Sequence, residues 1–210
     1  MNPWTPTGTV YGTLLNFRRE WDLWVPRMTQ DPHKAAPKAP VLYVKTANTF
    51  SPAGQDLVLQ DGGSEVDIGA TLGLVIGSDG QVAAAALLGD WSVPHASYYR
   101  PPVKFRCRDG FLALPEQVTP GPVSDWAALQ IAVRRNGELV QTVDLRELVR
   151  DLPTLLADVG EFMTLQAGDV LMVGTDCLVD GSRPRAKAGD RVEISAPGFV
   201  SVNVTVGETA

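Results

Sequence analysis

The chain has few of the residues and patterns from which common catalytic motifs are built. Cysteine and histidine occur twice each in 210 residues. Two cysteines, Cys107 and Cys177, exclude a disulfide scaffold and allow one bridge at most. There is no CxxC pair and no HExxH, which excludes the zinc sites those patterns make. A Gly-rich phosphate loop and a GxSxG nucleophile elbow are missing as well. Apart from one local block taken up below, basic residues are not clustered. The formal net charge is -6, with a sequence pI near 4.9, a poor match to nucleic acid or an anionic membrane. The longest apolar run, Val82 to Leu88, is far too short to span a bilayer. The opening MNPWTPTGTVYG has neither the basic n-region nor the apolar h-region of a signal peptide. The expectation is a soluble, cytoplasmic protein.

What is present points to a β-rich domain. Apolar residues make up 44% and charged residues 20%, enough to bury a core. The 20 glycines and 16 prolines favour turns and short strands over a helical bundle. Strands are expected at 8–16, 41–46, 65–77, 169–174, 191–196 and 199–206 from alternation and β-forming residues. Residues 128–143 read as a hairpin around Asn136-Gly137, a type I′ turn signal. Phe17, Trp21 and Trp24 share one helical face over 17–28, broken by Pro26. Residues 144–163 have helical spacing, with Pro153 opening a new helix. The Ala-rich segment 81–90 fits a short helix or a buried strand. Two Ala-Gly-Asp turns, at 167–169 and 188–190, precede strands. Nothing splits the chain, so residues 1–210 are expected to form one mostly-β domain of α+β type. Within it, about 1–45 form a small N-terminal lobe, and the Pro/Ala segment 29–40 has the composition of a lid loop.

Few residues suggest chemistry unaided. His33 and His95 are each a candidate proton carrier or a solvated loop histidine. Glu65 and Asp67 share one strand face and, with Asp90, offer carboxylates to a divalent ion, or else they mark the solvated start of a strand. The block YYRPPVKFRCRDGF (98–111) holds Arg100, Lys104, Arg106 and Arg108. It is either a solvated charge run or a pocket wall for a small polyanion, with Asp109-Gly110 holding its turn.

Six blocks occur in one order over about residues 8 to 206: GTVYGTLLNF, VLYVKTANTF, GATLGLVIG, RPPVKFRCRDGF, EFMTLQAGDVLMVGT and AGDRVEISAPG. Together they resemble the fumarylacetoacetate hydrolase superfamily. Within it they are most similar to the first-half type of the bifunctional isomerase/decarboxylases of 4-hydroxyphenylacetate breakdown. The resemblance implies a β-roll with a few flanking helices. It implies a substrate that is a small di- or tricarboxylate 2-oxo acid, such as 2-hydroxyhepta-2,4-diene-1,7-dioate or 5-oxopent-3-ene-1,2,5-tricarboxylate. It also implies Mg²⁺ or Mn²⁺ stabilising an enolate, and a dimer of this chain or a pairing with a second homologous subunit.

The family's Glu-x-Glu positions fall on Gly69 and Thr71, while its Asp is matched by Asp90. Glu65 and Asp67 lie about 13 Å up the strand, too far to replace them. No metal ligand set is therefore expected, and the metal centre reads as degenerate. Glu20 stands where the family carries a His four residues after Asn16. Arg106 stands for the Lys before Asp-Gly, and Gly174-Thr175-Asp176 for Gly-Thr-Pro. By this resemblance Glu20 and Arg106 are the candidate catalytic residues, with Lys45, Asp90, Asp109 and Thr175 as substrate contacts. Lys45, in a block with Asn48, is otherwise a plain edge-strand lysine. The expected role is an isomerase/decarboxylase subunit, or an inactive supporting partner that keeps a vestigial acid-binding pocket.

Overall fold

Two β-sheets organise the molecule, the larger with central strands buried on both faces. The structure is a computed structural model and describes residues 3–31, 33–59, 64–95 and 103–208. In chain order the strands are β1 (Val10–Leu14), β2 (Val41–Lys45), β3 (Phe50–Ser51), β4 (Leu57–Leu59), β5 (Glu65–Asp67), β6 (Ala70–Ile76) and β7 (Val82–Asp90). Then come β8 (Leu112–Ala113), β9 (Thr119–Pro120), β10 (Gln130–Arg135), β11 (Glu138–Asp144), β12 (Val170–Met172), β13 (Arg185–Lys187), β14 (Arg191–Ser195) and β15 (Val202–Glu208). The α-helices are α1 (Arg18–Trp24), α2 (Val103–Arg106) and α3 (Leu152–Gly160), with short 3₁₀ turns at 25–27, 47–49, 123–126 and 145–147.

The larger sheet runs β2-β1-β12-β6-β7-β8-β3, with β9 also paired to β7; the smaller runs β11-β10-β14-β15-β4. Most pairs are antiparallel, but β1 runs parallel to β12, β3 to β8 and β15 to β4. β1 and β2, which fall in the stretch read as an N-terminal lobe, are strands of the larger sheet.

Two cores flank that sheet. Leu72, Leu74, Ala85, Leu87 and Leu171 face the smaller sheet and α3, while Ala86, Leu88, Val170 and Met172 face a second cluster under Trp21 and Trp24 of α1. β7 is thus buried on both faces, and that resolves the Ala-rich segment as a strand. The hairpin forms as expected, with Asn136 and Gly137 at φ 54° and 86°.

The single strand expected over 65–77 is two. β5 pairs with β13, and β6 pairs with β7 and β12. The chain changes partners at Gly69, where a Cβ would lie 2.4 Å from the Asp90 carbonyl oxygen. Helical spacing over 144–163 is realised only from Leu152, where the Asp151 side chain accepts from Thr154 N at 2.9 Å and Pro153 sits in the first turn. Strand β15 begins at Val202, not at 199. Segment 29–40 has no helix or strand among its described residues. Arg100 and its neighbours from 96 to 102 lie outside the described residues.

Candidate active site

The site grows from the ends of β1, β7 and β12. Leu15 turns the chain after β1 with φ 58°. Asn16 then latches three segments: its Nδ2 donates to Val173 O (2.9 Å) and Arg150 O (3.2 Å), and its Oδ1 accepts from Arg150 N (2.9 Å). That latch fixes the start of α1, whose Glu20 points inward and is buried.

Glu20 Oε1 accepts from Arg183 Nη2 at 2.8 Å, and both side chains are nearly enclosed. Arg183 also donates to Thr175 Oγ1 at 2.9 Å, so Thr175 holds the guanidinium that holds Glu20. Glu20 and Arg183 wall a pocket of about 480 Å³ that Asp67, His95, Arg27 and Arg185 also line. Arg185 pairs with Asp67 and Glu65, each at 3.1 Å. Burial pushes the Asp67 carboxyl above its ordinary value, against the pull of Arg185. Burial lowers His95, and its Nδ1 lies 2.8 Å from Val93 O. A carbonyl only accepts, so Nδ1 carries the proton and Nε2 is the basic nitrogen. The ring stacks on Phe105 at 4.8 Å. Cys177, on the same wall, has its thiol pushed up to about 11 by burial and by the nearby carboxylates.

Behind this pocket lies a second cluster centred on Asp90 at the end of β7. Its Oδ2 accepts from Arg106 Nη1 at 2.7 Å and from the Tyr43 hydroxyl; its Oδ1 lies 2.9 Å from Lys45 Nζ. Tyr43 and Lys45, two apart on β2, share a face. Tyr43 reaches Asp90 by crossing Gly12 of β1, its direct cross-strand partner, where a Cβ would come within 2.0 Å of the ring. Arg106 lies over that ring at 4.8 Å. Burial alone would raise Asp90; Lys45 and Arg106 more than reverse this and hold it below its ordinary value. Burial and Asp90 raise the Tyr43 hydroxyl well above its ordinary range, and burial lowers Lys45.

The two clusters touch through Gly69, whose Cβ position is crowded by the Asp90 carbonyl at 2.4 Å and the Thr175 methyl at 2.8 Å. No side chain fits there, least of all a glutamate. Both Asp90 oxygens are engaged by cationic groups. Among the described residues no three His, Cys, Asp or Glu side chains converge as a metal-ligating set. The residues present do not fit a divalent ion.

Of the six site residues expected from sequence, Glu20 lines the pocket, Thr175 joins it through Arg183, and Lys45, Asp90 and Arg106 meet in the second cluster. Lys45 lies on the edge strand of the sheet, yet it is fully buried and donates to the Trp91, Arg106 and Phe111 carbonyls. Arg106 is likewise enclosed, and its guanidinium holds Asp90 in place rather than reaching the pocket. Asp109 is exposed and accepts from Asn48 Nδ2 at 2.7 Å, pinning the 107–110 turn away from the pocket lining. Sequence reasoning missed Tyr43, Arg183 and Arg185. Tyr43 was within reach, since alternation places it on the face of Lys45. The two arginines sit in and beside the short strand β13, and only its distant partner β5 defines them.

The family profile described as "Fumarylacetoacetate (FAA) hydrolase C-terminal" matches residues 9–207. The "4-hydroxyphenylacetate degradation bifunctional isomerase/decarboxylase" of Salmonella dublin is 34% identical over 212 residues, covering 96% of this chain and 48% of that protein. The chain thus spans about half the length of the curated relatives it matches. Among solved structures, 2-hydroxyhepta-2,4-diene-1,7-dioate isomerase from Mycobacterium marinum superposes with a TM-score of 0.75 at 16% identity, over 100% of this chain and 78% of that one. Fumarylpyruvate hydrolase from Pseudomonas aeruginosa, in complex with Mn²⁺ and pyruvate, does so at 0.74 and 19%, over 97% and 91%. At these identities the structures speak for the fold alone.

Proposed function

The chain belongs to the fumarylacetoacetate hydrolase family, and on that premise we propose that it is one unit of an isomerase/decarboxylase of 4-hydroxyphenylacetate breakdown. Its substrate is a small di- or tricarboxylate 2-oxo acid, either 2-hydroxyhepta-2,4-diene-1,7-dioate or 5-oxopent-3-ene-1,2,5-tricarboxylate. It works as a dimer of this chain or beside a second family unit. The similarity to the Salmonella dublin protein supports the class of reaction. One geometric observation supports the site: a carboxylate, Glu20, held at the pocket wall by a guanidinium that Thr175 fixes in turn.

Moving a double bond in a 2-oxo acid needs a base at the carbon proton and positive charge near the enolate oxygen. Glu20 is the base. Arg183 lies next to it on the same pocket wall, and Arg185 and Arg27 draw the substrate's carboxylates to the pocket mouth. The net charge of Asp90, Lys45 and Arg106 is one negative against two positive groups. The residual positive charge stands behind the pocket, where it favours the anionic enolate.

The test follows both acids by ultraviolet absorbance with the purified chain, alone and mixed with a second family unit. Turnover is expected in chelator, and Glu20→Gln lowers kcat by about 10²–10⁴-fold with KM little changed. The enclosed Asp90 favours one other reading, a supporting unit without turnover. It predicts a silent chain that raises its partner's rate. No turnover and no effect on a partner, in folded protein, sinks both.

A further inference from the structure

Lys45 sits in an unusual place for an ammonium group. Its Nζ is surrounded by oxygen: Arg106 O at 2.5 Å, Phe111 O at 2.6 Å, Asp90 Oδ1 at 2.9 Å and Trp91 O at 3.3 Å. These donors come from the end of β7, the last residue of α2 and the residue before β8, three segments brought to one point. The contact with Asp90 is a buried ion pair at 2.9 Å, beside the three carbonyls that accept from the ammonium. Three carbonyls and a carboxylate are the donor set of a hard cation. In a dry interior such a set repels itself and requires a positive charge at its centre. The side chain of Lys45 is 0% exposed, so that charge cannot come from solvent.

We infer that Lys45 supplies a tethered resident cation: its ammonium fills an oxygen cage that the chain would otherwise have to fill with an ion. The inference concerns the cage alone and stands whether or not the proposed substrate is turned over. The cage distances also indicate the ion that fits. Mg²⁺ requires oxygens at about 2.0–2.1 Å, shorter than any here, whereas Ca²⁺ accepts about 2.3–2.6 Å and irregular geometry; the Arg106 and Phe111 oxygens already meet that range, and those of Asp90 and Trp91, at 2.9 and 3.3 Å, meet it by moving inward. Emptied of its lysine, the cage takes Ca²⁺ or a primary ammonium ion in preference to Mg²⁺. The protein as it stands takes none of them there.

Lys45→Ala removes three carbons and the nitrogen, the atoms of n-propylammonium. The experiment reads Tm for the full chain and for Lys45→Ala while titrating n-propylammonium, Ca²⁺ or Mg²⁺, with tetramethylammonium and sodium at matched ionic strength as controls. The variant loses about 6–20 °C, as expected for a broken buried pair in a chain this size. n-Propylammonium and Ca²⁺ restore part of that loss; Mg²⁺ and tetramethylammonium do not. The full chain shows no response beyond ionic strength. Lys45→Met, uncharged and of similar length, covers the case in which the alanine variant does not fold, and it too must lose several degrees. A Met variant as stable as the parent overturns the inference. So does an alanine variant indifferent to propylammonium and Ca²⁺, or a parent chain whose Tm rises with Ca²⁺ or Mg²⁺ and ceases to do so in Asp90→Asn.

Discussion

Asp90 shows how much one buried carboxylate can organise. Lys45, Arg106 and Tyr43 reach it from β2 and α2, and its charge is what allows two cations to be enclosed. Removing that charge leaves both cations without compensation. Asp90→Asn is expected to cost about 3–5 kcal/mol in urea unfolding at pH 7. A cost below 1 kcal/mol would mean that the cluster contributes little. His95 and Asp90 set the two stages of acid destabilisation, while Asp67, raised by burial, works in the opposite direction and offsets part of the loss. His95 is lowered by burial from 6.5, so the unfolded chain binds the extra proton and stability falls as pH drops below about 6.5. Asp90 is held below 3.8, so its contribution is complete above about 4 and is lost only as pH falls further. Urea midpoints between pH 8 and 3 should therefore decline in two stages. His95→Gln should flatten the upper stage alone; an unchanged upper stage in that variant would refute the assignment.

Among the elements, α3 packs one face into the main core. Leu152, Leu155 and Val159 enter the core, Asp151 caps the first turn, and Arg150 links it to Asp158 at 2.7 Å. Leu155→Ala should cost about 2–5 kcal/mol and Asp151→Ala about 1 kcal/mol by chemical denaturation. Equal costs would contradict the division between packing and capping. The elements also show what a sequence reveals. Elements set by local pattern were readable: the Asn136-Gly137 hairpin, β1, β2, and the helix opened by Pro153. Both Ala-Gly-Asp turns use one device, with Asp169 and Asp190 accepting from the backbone N three residues earlier. Elements set by a remote partner were not readable. β5 and β6 look like one alternating strand until β13, more than 100 residues away, claims the first half. β3, β4, β8, β9 and β13 are two or three residues long and exist only through their pairings.

At the scale of the whole molecule, the family scaffold is kept, and a fully buried lysine and arginine surround Asp90 within it. The order of six sequence blocks made the scaffold legible. So did the loss of the carboxylates at Gly69 and Thr71, and the structure adds that Gly69 has no room for one. Burial was not legible: Lys45 and Arg106, read from sequence as a substrate contact and a catalytic residue, are both enclosed against Asp90. Nor were Arg183 and Arg185, whose meeting with Glu20 and Asp67 depends on the β5–β13 pairing. No helix of the described residues is long and apolar enough to cross a membrane.

The central claim is that this pocket takes a 2-oxo dicarboxylate through arginine and without a metal ion. Calorimetric titration of 2-oxoglutarate into the purified chain tests it most directly, once in EDTA and once in Mn²⁺. The account predicts the same affinity in both, weakened at least ~10-fold by Arg183→Met. Binding that appears only with Mn²⁺, or that survives Arg183→Met unchanged, would contradict it.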